Sequence, residues 1–111
     1  MSAIVAYVPD LMDRSRVSAA STAISFVADL SDLAAAAAGA DLVVVDLTRA
    51  GVLDVLPALE GRVIGFANHT ERQLMESARA AGCSTVLARS AFFSRLNELL
   101  APDPDAPTTA P

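Results

Sequence analysis

Three aspartates are placed where a carboxylate could do chemistry: Asp10, Asp13 and Asp46. Asp46 ends the run Leu42-Val43-Val44-Val45, and Asp10 follows the apolar stretch Ala3–Val8 after Pro9. Carboxylates gathered at one edge of a parallel sheet can hold Mg²⁺, which takes oxygen ligands and keeps several waters. One of them can also attack a phosphoryl donor as a nucleophile, with the metal and a nearby cation neutralising the equatorial oxygens. Arg89, after the apolar run Thr85–Leu87, is the available cation. The competing role is structural, because acids at strand ends cap the next helix or form Asx-turns, and Asp29 stands at a similar place. His69, in Phe66-Ala67-Asn68-His69-Thr70, could act as a base or touch a phosphate. A lone loop histidine ahead of a helix is more often solvated. Cys83 follows Gly82 and reads as a half-buried, inert thiol.

These residues need elements to position them. A short, β-branched, unbroken apolar run reads as a strand buried on both faces. Strands are expected at Ala3–Val8, Ile24–Ala28, Leu42–Val45, Arg62–Phe66 and Thr85–Leu87. Helices are expected between them. The first, Leu11 to about Ala20, has Asp10 or Asp13 at its start and buries Leu11 or Met12, Val17 and Ala20. The second, Asp32–Ala38, is capped by Ser31 and stopped by Gly39. The third, Val52–Leu59, is weakened by Pro57. The fourth opens at Thr70 on the capping box Thr70-Glu71-Arg72-Gln73, carries the stripe Leu74, Met75, Ala78 and Ala81, and ends at Gly82. Its Arg72, Glu76 and Arg79 form a solvated face. The fifth, Ala91–Leu100, is capped by Ser90 and turns Phe93, Leu96, Leu99 and Leu100 inward. Phe92 and Phe93 are adjacent, so one of them is expected to be an exposed contact or only partly covered.

Regular alternation of strand and helix implies right-handed βαβ units: an α/β, doubly wound, five-stranded parallel sheet with helices on both faces. The flavodoxin-like order 2-1-3-4-5 has its switch point between strands 1 and 3, which makes Asp10 and Asp46 neighbours. Residues 1–101 form this domain, and the Pro-rich acidic tail 102–111, with four of the six prolines, is expected to be disordered.

The composition narrows the function. The net charge of −5, with eight Arg and no Lys, argues against nucleic acid and against anionic membrane surfaces. A single Cys permits no internal disulfide, and one Cys with one His makes no Cys/His metal site. The N-terminus lacks a signal-peptide pattern and no apolar run approaches the ~20 residues that span a bilayer, so a cytoplasmic protein is expected.

The chain resembles the receiver domain of response regulators (CheY-like) over about Ala3–Leu100. The resemblance rests on the β/α order, on Asp46 after Val43-Val44-Val45, on Ala78-Arg79-Ala80-Ala81-Gly82 before strand 5, and on the segment from Arg89 through Leu96 to Leu100. It implies that Asp46 stands at the phospho-acceptor position and that Asp10 matches one of an acidic pair binding Mg²⁺. It also exposes departures. Pro9 replaces the second acid, Ala67 stands at the switch hydroxyl, Arg89 replaces a lysine and Ser90 a cis-proline. Asp13 would have to complete the metal set Asp10, Asp13, Asp46, and Asn68 or Thr70 would have to supply a donor.

The resemblance therefore implies an atypical or pseudo-receiver, a signalling module and not an enzyme, that acts through a protein partner, a kinase or downstream target. With no output domain after the receiver-like segment, a stand-alone module is expected. A homodimer through the helix 4–strand 5–helix 5 side is a further expectation. The alternatives are a phospho-accepting receiver using Asp46 and Mg²⁺, a flavodoxin-like small-molecule module and, more remotely, an anti-sigma antagonist-like domain. No glycine falls in Pro9–Ser15, so the phosphate loop a nucleotide module would need is absent.

Overall fold

In the computed structural model, which describes residues 3–21 and 23–100, five parallel strands alternate with helices. In chain order these are β1 (Ile4–Tyr7), α1 (Leu11–Ala20), β2 (Ile24–Phe26), α2 (Leu33–Ala37), β3 (Leu42–Asp46), α3 (Val52–Val55), β4 (Arg62–Ala67), α4 (Arg72–Ala80), β5 (Thr85–Ala88), α5 (Arg89–Ser94) and α6 (Leu96–Leu99). The sheet order is β2-β1-β3-β4-β5 and every pairing is parallel. The expected flavodoxin-like topology is therefore the one observed. The tail 102–111 lies outside the described residues.

Side chains on a strand alternate between faces, and the two sets fill two separate cores. Val43 and Val45 join Val5, Leu33, Val52, Val63 and Ala78 on one side of the sheet. Leu42 and Val44 join Ala6, Val17, Ile64, Phe66 and Phe92 on the other. All five residues of β3 are buried, as a central parallel strand requires. Asp46 shares the parity of Leu42 and Val44, so it issues on the side of α1 and α5. The register pairs Tyr7 with Val45 and Asp46 with Phe66, which aligns the ends of the three middle strands. Gly65 lets Leu47 fold back over β4: a Cβ there would lie 2.7 Å from the Leu47 side chain.

Several local expectations are corrected. Leu11 and Met12 are 76% and 78% exposed, so α1 buries Val17 and, unexpectedly, Asp13. Ser31 does not cap α2; a 3₁₀ turn, Leu30–Asp32, leads into it, and the helix spans only Leu33–Ala37 before Gly39 takes a positive φ of 80°. Val52–Leu59 divides into α3 and a 3₁₀ turn, Leu56–Ala58, that accommodates Pro57. The Thr70 capping box does not form. A turn from Asn68 to Glu71 intervenes, and α4 starts at Arg72 with no side-chain cap. Ser90 lies inside α5, whose N-cap is Ala88. The helix breaks at Arg95, which shifts the buried face. Phe92 is fully buried and stacked on Phe66 with centroids 4.5 Å apart, while Phe93 is half-buried.

Candidate functional site

The strand ends create a cleft of about 480 Å³ lined by Asp10, Asp13, Arg16, Asp46, Arg49 and Arg89, with Thr48, Asn68, Glu71 and Met12 completing its rim. Asp10, Asp13, Asp46 and Arg89, the residues singled out from sequence, thus meet at one place. Their partners decide what the place can do.

Asp10 is the N-cap of α1. Its Oδ1 accepts from the backbone N–H groups of Met12 and Asp13 at 2.9 and 3.0 Å, satisfying two of the helix's unpaired amides. Asp46, 3% exposed, forms an Asx-turn. Its Oδ1 accepts from the Thr48 amide at 3.0 Å and the Thr48 hydroxyl at 2.6 Å, and its Oδ2 faces Arg49 Nε at 3.4 Å. Asp13 has the strongest partner. Arg89 Nη1 and Nη2 donate to its two carboxylate oxygens at 2.9 and 2.7 Å, a bidentate pair joining residues 76 apart in the chain. The Arg89 hydrogen bond holds the Asp13 carboxyl below the usual carboxylate range, although burial opposes it. The same bond raises Arg89 above its ordinary value, helped by the charges of Asp13, Asp46 and Asp10. The guanidinium also lies 5.6 Å from the Phe66 ring centroid and 5.2 Å from that of Phe93.

The receiver resemblance implies Mg²⁺, so the donor set must be tested against it. Mg²⁺ demands near-octahedral oxygens at ~2.0–2.1 Å, supplied by one or two free carboxylates plus water. Here both Asp13 oxygens accept from a guanidinium, both Asp46 oxygens have protein partners, and Asp10 commits its Oδ1 to its own helix. Among the described residues no three His, Cys, Asp or Glu side chains gather as metal ligands. The arrangement does not fit the ion, and a guanidinium supplies the positive charge at Asp13 instead.

The other candidates resolve simply. Ala67 is buried at the end of β4 and offers no hydroxyl. His69 and Thr70 are exposed, and Asn68 and Glu71 are the residues of that loop bordering the cleft. Cys83 is buried, its thiol donating to the carbonyls of Val63 at 3.4 Å and Thr85 at 3.3 Å, and burial pushes its pKa up. Arg72, Glu76 and Arg79 are solvated as expected, with Arg79 and Glu76 3.4 Å apart. Thr48, Arg49 and Arg16 were not anticipated. The signal for Arg49 was its place three residues after Asp46, and for Arg16 its place one helical turn after Asp13.

No family model matches the sequence, and no curated protein matches it. Among solved structures the chain is similar to FixJ-N, the receiver domain of a response regulator, at 14% identity with a TM-score of 0.70, over 93% of this chain and 98% of that one. With its strand order and the aspartate at the end of β3, the chain has the CheY-like receiver fold.

Proposed function

We propose that this chain is a receiver-fold signalling module that works by protein–protein contact without phosphorylation. One observation carries the reading: the Arg89 fork closed on both oxygens of Asp13. It sets an internal cation against a carboxylate that a metal would need, and it ties the start of α5 to α1. Ala67 supports the same reading, since no hydroxyl at the end of β4 is available to move toward a phosphoryl oxygen. The partner is a protein, a kinase or a downstream target, and the module is cytoplasmic. The surface that α4 presents beside β5 suits such a contact: Met75 lies between Arg72 and Arg79 in a depression of about 300 Å³. That surface also suits a second copy of the chain.

The alternative is a phospho-accepting receiver, favoured by the position of Asp46 at the end of β3 in the same cleft as Arg89. Incubation with acetyl phosphate and Mg²⁺, followed by intact-mass spectrometry, separates the two. The expected result is no added phosphoryl group at saturating donor. A gain of one phosphoryl group that disappears in Asp46→Asn would overturn the reading.

A further inference from the structure

A second cavity, about 510 Å³, lies beside the aspartate cleft, between α1, the β4–α4 loop and the start of α5. Arg16, Asn68, His69, Arg89, Ser90 and Ser94 line it, with Phe93. Arg16, Asn68 and Arg89 border both spaces, yet the two differ in charge. Four carboxylates, of Asp10, Asp13, Asp46 and Glu71, line the cleft; none lines the second cavity. In a chain of net charge −5 this is a local reversal of sign.

Arg16 is the lining residue that matters most here. Its guanidinium carbon lies 3.9 Å from the centroid of the Phe93 ring. That ring is held in turn against Phe92 at 4.9 Å and Phe66 at 5.5 Å. A guanidinium resting over an aromatic ring can still offer N–H groups to an oxyanion. Among the described residues the ion pairs are Arg49–Asp46, Arg79–Glu76, Arg89–Asp13 and Arg95–Glu98, so Arg16 has no carboxylate partner there. Both Arg89 nitrogens that face Asp13 are taken by its carboxylate, whereas Arg16 acts on Asp13 only through space and keeps its N–H groups unpaired among the described residues. Further donors line the same space: the Ser90 hydroxyl, the Asn68 amide and the His69 ring N–H; the Ser94 hydroxyl donates to the Ala91 carbonyl at 3.1 Å.

The geometry points to a binding site for a small phosphate monoester in this cavity, its phosphate on Arg16 and the surrounding hydroxyl, amide and imidazole donors. Several donors around one cation suit the multiple oxygens of a phosphate. The depression leaves room for an organic group beside the phosphate. The acids of the adjoining cleft repel a long polyanion.

Nitrogen-15 NMR titration of the full chain tests this, using inorganic phosphate, AMP as a monoester and adenosine as the phosphate-free control. AMP is expected to produce saturable shifts at the amides of His69, Ser90 and Ser94 and at the Arg16 side-chain N–H, inorganic phosphate weaker shifts at the same groups, and adenosine none. Arg16→Gln should weaken AMP binding by about tenfold or more, the loss of a charge-assisted pair. Arg79→Gln removes the same charge from exposed α4 and should bind as the unaltered chain does. Three outcomes overturn the site: no saturable shift up to about 10 mM ligand, equal weakening in both variants, or shifts confined to Thr48 and the aspartate cleft.

Discussion

The Asp13–Arg89 pair carries the functional reading, so its energy is the first quantity to measure. The Asp13 side chain is 7% exposed and that of Arg89 35% exposed. Breaking a fully buried pair from one side costs about 3–5 kcal/mol, and an exposed pair is worth about 0.2–1 kcal/mol. This pair lies between those limits. Arg89→Met leaves a buried carboxylate without its cation and should destabilise by about 2–3 kcal/mol, the fully buried cost reduced for the partial exposure of Arg89. Asp13→Asn should cost less, about 1–2 kcal/mol, because the guanidinium can turn to water and the amide oxygen still accepts. Urea denaturation of both single variants and the double variant closes a cycle, in which a coupling of about 1–2 kcal/mol is expected. In a domain of this size 2 kcal/mol corresponds to a fall in Tm of roughly 8–16 °C. The pH dependence gives a second handle. Asp13 has a depressed folded-state pKa, so its contribution is fully present above the unfolded carboxyl value of about 3.9 and is lost as pH falls through the folded value. Stability should therefore fall less steeply below about pH 4 in Asp13→Asn than in the unaltered chain. A coupling inside the additivity error of about 0.3–0.5 kcal/mol, with superimposable acid profiles, would refute the reasoning.

Three further outcomes test the scaffold. Asp10→Ala should lower stability by about 1 kcal/mol through loss of the α1 cap, with Asp10→Asn close to neutral, both read by denaturation midpoints. Gly65→Ala should cost about 1–3 kcal/mol by overpacking against Leu47, and Leu47→Ala in the same chain should cost less than it does alone, because the new methyl fills part of the space. Cys83 should resist a thiol reagent at pH 8 in the folded chain and react promptly in urea, since its thiol is buried and its pKa raised.

The strands and their order were legible because the signal was local and repeated. Runs such as Leu42–Val45 admit little but a buried parallel strand, and right-handed crossovers bring the ends of β1 and β3 together. That is why Asp10 and Asp46 could be placed at one edge. Helix caps were less legible: Ser31, Thr70 and Ser90 each have the right residue type, but a 3₁₀ turn takes up Ser31, a hydrogen-bonded turn from Asn68 to Glu71 takes up Thr70, and α5 starts one residue before Ser90. The exchange of Phe93 for Phe92 as the buried ring follows from the break at Arg95, which an uninterrupted 3.6-residue period does not anticipate. Least legible was the pairing of Asp13 with Arg89. Periodicity marks Asp13 as a polar residue of the first helical turn, and only the folded sheet brings a cation to it from 76 residues away.

That pairing changes what the departures from the receiver pattern mean. Considered singly, Pro9, Ala67 and Arg89 are lost parts. In the fold, Arg89 is a long fork that reaches Asp13, and Asp46 is occupied by its own Thr48 and Arg49. A switch needs two arrangements of comparable free energy. A bias of 2 kcal/mol toward the closed pair leaves the arrangement with Arg89 withdrawn about thirtyfold less populated. On our reading the substitutions thus act together, holding the fold in one state whose surfaces are constant, and a partner meets that same surface whether or not a phosphoryl donor is present.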